Sequence, residues 1–474
     1  MARIHSPFPT FTRDVRNTLK LQITTTEINQ SFSLPIYGAA DPDGYSYFSG
    51  AGYSQNFVAR WGDGTAESII TSYDDVDRTH VYTIAGTYEI EIEGVCEFFS
   101  FYSSGFDNAY VDAILVDKLL AMTGDMGFKL LDFGNCENLT SVVSLGNLKS
   151  LTESYQMFIM DTSSKLTTVP ENLFEGCVNL TYLYYTFCNC SALTSIPENL
   201  FKYNTGATTF QCAFFTCTEL TSIPANLFKY NTEVIDFLGT FSGCTKLSVI
   251  PENLFKYNIK VDWFGDVFYG CPSLTSIPTD LFKTNTLVTD FSQAFANCTS
   301  LDSVPVDLFK YNTEVKYFSY TFSGCTILTS IPEGLFYSNT KVTDFVGTFG
   351  LSGLNSIPAN LFKYNVEVTT FYSLFSRCYS LETIPVDLFK TNTLVTTFGG
   401  VFNYCTALTA IPVNIFAYNP SVTTYYRAFR NCPFLTGNAP ELWLLDPAPI
   451  GTDCFVGDTG LDNYASIPDG WKGL

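Results

Sequence analysis

From Leu166 to about Cys432 the chain repeats one pattern of apolar and polar positions, LTSIPxxLFKYNTxVTxFxxTFxxC. Its fixed points are Pro170, Pro197, Pro224, Pro251, Pro278, Pro305, Pro332, Pro358, Pro385 and Pro412. They stand 27 residues apart, save one interval of 26 between Pro332 and Pro358. A leucine precedes each proline by four positions and a phenylalanine follows it by four, as Leu193 and Phe201 do around Pro197. Apolar positions three or four apart over such short runs match neither a long helix nor strict strand alternation. A fixed period of this length predicts a solenoid, in which each copy buries its apolar face by stacking on the next.

Each copy also divides in two. One half reads Cys-x2-Leu-x2-Ile-Pro-x2-Leu-Phe, as from Cys217 to Phe228, and the other Asn-x2-Val-x2-Phe-x3-Phe, as from Asn231 to Phe241. Branched and aromatic residues suit strands, so two short extended segments per coil are expected, LTSIP-like and VTDF-like, joined by tight or helical turns. Coils stacked through parallel strands about 4.8 Å apart would make ten coils about 50 Å long.

The TF-x2-C-x2-LTSI core of these copies resembles the BspA-like leucine-rich repeats of bacterial surface proteins, with Phe where many relatives have Met. The resemblance covers about residues 130–474 and implies a leucine-rich-repeat solenoid at 166–439. It implies little about function, because one fold carries many roles.

Before the repeats the pattern turns to alternation. Residues 15–95 hold LKLQITTTEI, SFSLPI, NFVARWGDGTAES and RTHVYTIAGTYEIEIEG. The pair WGDGT and HVYTIAGTYEIEI resembles the PKD module, an immunoglobulin-like β-sandwich. The resemblance implies that Gly62, Asp63, Gly64, His80, Tyr82, Gly86 and Tyr88 fix turns and packing. The residues agree: glycines allow positive φ, and Tyr-Glu-Ile-Glu-Ile has one dry and one wet face. In the loop of residues 39–55, Asp41, Asp43 and Gly44 resemble the start of a calcium loop. The further oxygen ligands and closing Glu are absent, so an ordinary turn is expected and no metal.

The expected fold is therefore mainly β: an arm at 1–15, a PKD-like sandwich at 15–95, a junction with degenerate coils at 96–165, about ten 27-residue coils at 166–439, and a cap at 440–474. In GNCENLTSVVSL, Cys136, Leu139 and Val142 repeat the half-unit, so the solenoid is expected to begin near Met126. Trp443 and Trp471 are expected to cover the last coil, whose backbone edge would otherwise be open.

Composition narrows the partners. The 474 residues carry a net charge of −21, which argues against nucleic acid, since phosphate binding needs a basic surface. No run approaches the roughly 20 apolar residues of a membrane span. MARIHSPFPTFTRDVRNTLK has no apolar stretch after its charges and so no secretory signal. That favours a virion surface over a bacterial cell surface, with the arm or sandwich attached to capsid or other virion proteins. Self-association into a homo-oligomer is left open.

Four columns recur along the repeats. Nine cysteines stand in register, at 190, 217, 244, 271, 298, 325, 378, 405 and 432; the short copy has Gly350-Leu-Ser-Gly353 instead. They are expected to be buried reduced thiols rather than disulfides or a metal site. Asparagines from Asn204 to Asn419 are expected to satisfy backbone groups coil after coil. Lys202, Lys229, Lys256, Lys283, Lys310, Lys363 and Lys390 make a like-charged column that needs carboxylates or an anionic ligand nearby, and a solvated face is the expected reading. Finally Tyr184, Tyr185, Trp263, Tyr317, Tyr320, Tyr372 and Tyr426 flank the VTxF segment. These aromatics could stack on sugar rings or pack sideways on neighbouring coils.

Catalytic chemistry is sparse. The histidines are His5 and His80, and there is no nucleophile elbow, zinc spacing or phosphate loop. No cofactor and no enzyme activity are expected. The expected function is a non-enzymatic virion component that presents its solenoid to a host-surface glycan or protein. A bacterial surface adhesin comes second and a glycan-degrading tailspike-like enzyme third.

Overall fold

The computed structural model describes residues 17–36, 55–72, 74–101, 115–159 and 164–474. The expected arm and the turn with Asp41, Asp43 and Gly44 lie outside the described residues. Strands cluster in the first third of the chain: β1 (Thr18–Thr25), β2 (Gln30–Ser33), β3 (Gln55–Arg60), β4 (Ser68–Ile70), β5 (Thr79–Tyr82), β6 (Gly86–Cys96), β7 (Phe98–Ser100), β8 (Val116–Thr123) and β9 (Leu130–Asp132). The only α-helix among the described residues is α1 (Asp469–Lys472).

Five strands form an antiparallel sheet in the order β4-β3-β6-β1-β8, and β2 pairs with β5 in a separate ribbon. Alternation decides which side is dry: Leu19, Leu21 and Ile23 of β1 face inward with Ile90 and Ile92 of β6. The other side of β6 carries Glu91 and Glu93, which pair with Lys20 and Arg60. The GDG turn and the HVY strand meet at one corner. His80 Nε2 lies 2.7 Å from Asp63 Oδ2, Tyr82 donates its hydroxyl to the Trp61 carbonyl at 2.9 Å, and Tyr82 stacks on Tyr88 at 4.2 Å. Burial works against ionisation of Asp63, but hydrogen bonds from Thr65 and His80 hold its carboxyl below the usual range. Gly62 is required here: its φ is +81°, and a Cβ would stand 2.4 Å from the Glu89 carbonyl oxygen.

The sheet does not stop at residue 95. Strand β8 pairs with β1 from Thr18–Thr123 to Ile23–Val116, with two register shifts. Parallel pairing of β7 with β9, and a bridge from Lys118 to Ser141, then pass the backbone ladder to the first coils. Sheet and solenoid thus share one continuous apolar core, from Leu19 to Trp471.

Each coil is built differently from the expected pair of short strands. In the coil of Phe210, N–H groups of Ala213, Phe215 and Cys217 each bond the carbonyl three residues back, so the chain advances by successive turns. Groups pointing along the axis bond the next coil instead: Phe210, Cys212, Phe214 and Thr216 donate to Asp236, Leu238, Thr240 and Ser242 at 2.7–3.2 Å. Parallel pairing is reduced to single-residue bridges, which follow one column through Glu153, Tyr182, Thr209, Asp236, Trp263, Asp290, Tyr317, Asp344, Thr370, Thr397, Thr424 and Ile450. A left-handed residue three positions beyond the bridge stops any strand from growing. Tyr185, Cys212, Asp266, Gln293, Tyr320, Ser373 and Arg427 all hold φ between +50° and +57° there.

Inside, phenylalanines stack coil on coil. One column runs Phe133, Phe158, Phe187, Phe214, Phe241, Phe268, Phe295, Phe322, Phe349, Phe375, Phe402, Phe429, Phe455, with centroids 5.4–5.8 Å apart. Trp471 closes it at 6.3 Å from Phe455, and Trp443 meets both rings edge-on.

Candidate functional site

The polar columns sort themselves by what they touch. Asn231 donates from Nδ2 to the Phe201 and Asn204 carbonyls of the preceding coil at 3.0 and 2.8 Å, and the later asparagines do the same. In the other half-coil Cys244 Sγ stands 3.2 Å from the Phe214 carbonyl, again 30 residues back. Asn and Cys are therefore equivalent rungs of the two half-units. All 15 cysteines are free and buried, and burial pushes Cys244 and Cys298 up to about 12. In the short copy Ser352 stands in this column but donates within its own turn, to the Phe349 carbonyl at 2.6 Å, with Cys378 Sγ of the next coil 3.3 Å away. These columns hold the coils together and offer nothing to a ligand.

The lysine column has its own compensation. Lys283, Lys310 and Lys390 pair with Asp280, Asp307 and Asp387 three residues back, at 3.0–3.3 Å. Lys202, Lys229, Lys256 and Lys363 lie over the rings of Tyr203, Tyr230, Tyr257 and Tyr364 at 5.3–5.7 Å. Ring faces and carboxylates thus offset the stacked charges.

The aromatic residues around VTxF divide into two groups. Tyr184 stacks on Tyr182 at 5.6 Å, Tyr185 meets Tyr155 edge-on, and Tyr426 is covered by the Arg427 guanidinium at 4.6 Å. Burial, with Cys212 beside it, pushes the Tyr185 hydroxyl up to about 12. These three are packed sideways. Trp263, Tyr317, Tyr320 and Tyr372 are instead 40–41% exposed. The first two occupy the bridge column, whose next residue is a buried phenylalanine, so the backbone turns them outward.

Trp263 and Tyr317 hold the bridge position itself, while Tyr320 and Tyr372 stand three and two residues beyond it in their coils. Trp263 stands in one coil, Tyr317 and Tyr320 two coils on, and Tyr372 two coils further. The bridge positions between and before them are Asp236, Asp290 and Asp344. Each aspartate accepts from the N–H two residues on, from Leu238, Ser292 and Val346 at 2.6–2.7 Å. Burial raises the pKa of Asp236 and of Asp266, and Asp290 adds to the latter. Glycines seat two of the rings. A Cβ at Gly347 would stand 2.3 Å from Tyr320 Cε1, and one at Gly399 2.9 Å from Tyr372 Cδ2, so each ring lies against the bare backbone of the next coil.

The aspartates and glycines were not singled out from the sequence, although the position before each VTxF phenylalanine reads Asp, Trp, Asp, Tyr, Asp from 236 to 344. Reading that position down the stack, rather than along the chain, exposes the alternation. Among the described residues no three of His, Cys, Asp or Glu gather so as to hold a metal ion, and no helix is long and apolar enough to cross a membrane.

Residues 181–305 and 239–349 match the model of a family described as a Mycoplasma protein of unknown function, DUF285. No curated protein matches the sequence. Among solved structures, a chain of the Toll–Spatzle complex from Drosophila is 15% identical with a TM-score of 0.35, over 70% of this chain and 44% of that one. A chain of the TLR13–ssRNA13 complex is 13% identical with a TM-score of 0.24, over 58% and 49%. A leucine-rich cell surface protein from Faecalibacterium prausnitzii is 19% identical with a TM-score of 0.20, over 58% and 76%. This chain covers less than half the length of the first two.

Proposed function

We propose that the protein is a non-enzymatic surface-attachment protein whose solenoid presents the Trp263–Tyr372 face to a partner. The observation that carries this reading is four outward aromatic rings at two-coil intervals along one hydrogen-bonded backbone ladder. Such a face offers several equivalent, individually weak contacts, and display in many copies would raise a weak affinity by roughly 10² to 10⁴. The non-enzymatic part rests on chemistry: Asp236, Asp290 and Asp344 each cap their own turn, and His80 is engaged by Asp63 in the sheet. The PKD-like sheet is the natural carrier end, because the solenoid grows out of it through β7 and β9.

In the virion-borne form of this reading, the sheet docks on a capsid or other virion protein and the solenoid faces the host. Finding the protein in purified particles supports that form; finding it only in bacterial envelopes replaces it with the adhesin form. Attachment itself is tested by coupling the intact protein to beads and measuring retention on host cells and on their isolated surface polysaccharide. Retention that falls when Tyr317, Tyr320 and Tyr372 become alanine together, with the fold intact, supports it. No retention in multivalent form removes the attachment reading, and shortened polysaccharide makes the protein an enzyme.

A further inference from the structure

We infer that the partner of this face is a neutral glycan chain lying along the solenoid axis, across the coils from Trp263 to Tyr372. The inference rests on the attachment reading and goes beyond it by naming what is bound and in which direction.

Direction comes from spacing. The coils are held at strand separation by the N–H to carbonyl ladder, so Trp263 and Tyr317, two coils apart in one column, recur at about 10 Å, and Tyr372 lies a further two coils on, two residues beyond that column. An extended β-linked glycan with twofold symmetry turns the same pyranose face to one side at every second residue, a repeat of similar length. The chain would then lay one sugar face on Trp263, the next equivalent one on Tyr317 and Tyr320, and the next on Tyr372. From Trp263 to Tyr372 is four coil steps, about 20 Å, or some four to five sugars at one residue per coil.

The intervening positions suit the alternate sugars. Asp290 and Asp344 spend one carboxylate oxygen on their own turns, at Ser292 and Val346, leaving the other for a sugar hydroxyl to donate to. Tyr320 stands one coil before Asp344 and two before Tyr372, and after burial both neighbours add to the upward shift of its pKa. The seats at Gly347 and Gly399 hold two of the rings against backbone, leaving the opposite ring face for a pyranose.

Charge chooses the glycan. Asp236, Asp290 and Asp344 hold the bridge column, Asp262 is near enough to act on Asp236 and Asp290 on Asp266, and Lys316 precedes Tyr317, on a protein of net charge −21. An anionic polysaccharide would be repelled, whereas a neutral one loses nothing by approaching. A basic peptide would also be attracted, but attraction of that kind needs no alternation of rings and falls steeply with salt.

The test uses the intact protein and β-1,4-linked glucan and mannan oligosaccharides, from disaccharide to octasaccharide. Hyaluronan and polylysine serve as the anionic and cationic counterparts. Affinity for a neutral series should rise with length and level off at about four to five sugars, survive salt, and quench the fluorescence of Trp263. Replacing Trp263 and Tyr317 together by alanine should weaken it by about tenfold or more. Gly399→Ala, which touches no ligand but displaces the Tyr372 ring, should weaken the longer chains and spare the disaccharide. Lys229→Ala, on the lysine column, should change nothing. Retention on cells through the Trp263–Tyr372 face without any neutral-glycan binding overturns the inference and leaves attachment standing. Salt-sensitive binding of polylysine alone would make the partner a basic protein. Failure to bind cells and glycans alike removes both readings.

Discussion

Asp458 lies fully buried in the last coil, where its Oδ1 accepts the Cys432 N–H at 2.7 Å and its Oδ2 has no partner among the described residues. Burial raises its pKa from the ordinary 3.8 to about 8. The folded state therefore keeps a proton that the unfolded chain releases, so its contribution to stability is complete below about pH 4 and is lost as pH rises through about 8. The cap is expected to loosen progressively from about pH 4 to about 8. Hydrogen exchange over residues 432–474 should quicken, beyond the intrinsic rate, as pH rises from about 4 to about 8 in the native sequence and level off above that, and it should show no such rise in Asp458→Asn. An equal rise in the variant would assign the loosening to another group. Asn312 also leaves one oxygen, Oδ1, without a partner among the described residues, but its Nδ2 satisfies the Phe282 and Asn285 carbonyls at 3.0 and 2.8 Å. Asn312→Ala strands both acceptors in a dry interior, at about 1–3 kcal/mol each. A melting temperature unchanged by this substitution would show the column to be dispensable. The Asn and Cys columns were legible because register alone marks a buried rung. The left-handed positions were not, since Tyr185, Gln293 and Tyr320 are residue types that seldom adopt them, and only the ladder above and below holds them there.

At the level of elements, the sequence announced coils but misjudged their interior. Val, Thr and Phe in VTDF look like a strand, yet the turn bonds three residues back and the left-handed residue limit pairing to one bridge per coil on that side. Among the described residues the preceding segment bridges coil to coil at Ser222–Val249 and Ala410–Thr436, and to β8 at Lys118–Ser141. Stacking of Phe on Phe, with few alternatives for a ring at that depth, makes the period so strict. The thiol column tests that depth directly. Native protein should take up almost no thiol reagent and denatured protein about 15 equivalents, one for each cysteine. Rapid labelling before unfolding, or few thiols afterwards, would contradict a dry reduced column. In the sheet, GDG and HVY located the corner at Asp63 and His80, but nothing near residue 95 signalled that β1 would take β8 from beyond it. A fragment of residues 15–95 leaves that side of β1 unpaired, so it should melt below one of residues 15–124. Equal melting temperatures would make β8 an ornament of the sheet.

Across the whole molecule one core runs from Leu19 to Trp471, and the columns on its surface differ in what they leave unengaged. Lysines on their side are matched by tyrosine rings and by Asp280, Asp307 and Asp387; the alternating Trp, Tyr and Asp face is not so matched. A candidate site was legible as a scatter of aromatics along the chain, but its alternation appears only when coils are read one above another. The proposed attachment requires this face, and not the lysine side, to meet the partner. Hydroxyl-radical footprinting of the native protein, free and bound to the host surface, separates the two. Trp263, Tyr317, Tyr320 and Tyr372 should be shielded on binding while Tyr203, Tyr230, Tyr257 and Tyr364 remain as reactive as before. Shielding of the lysine-side tyrosines, or none on the Trp263–Tyr372 face, would contradict it.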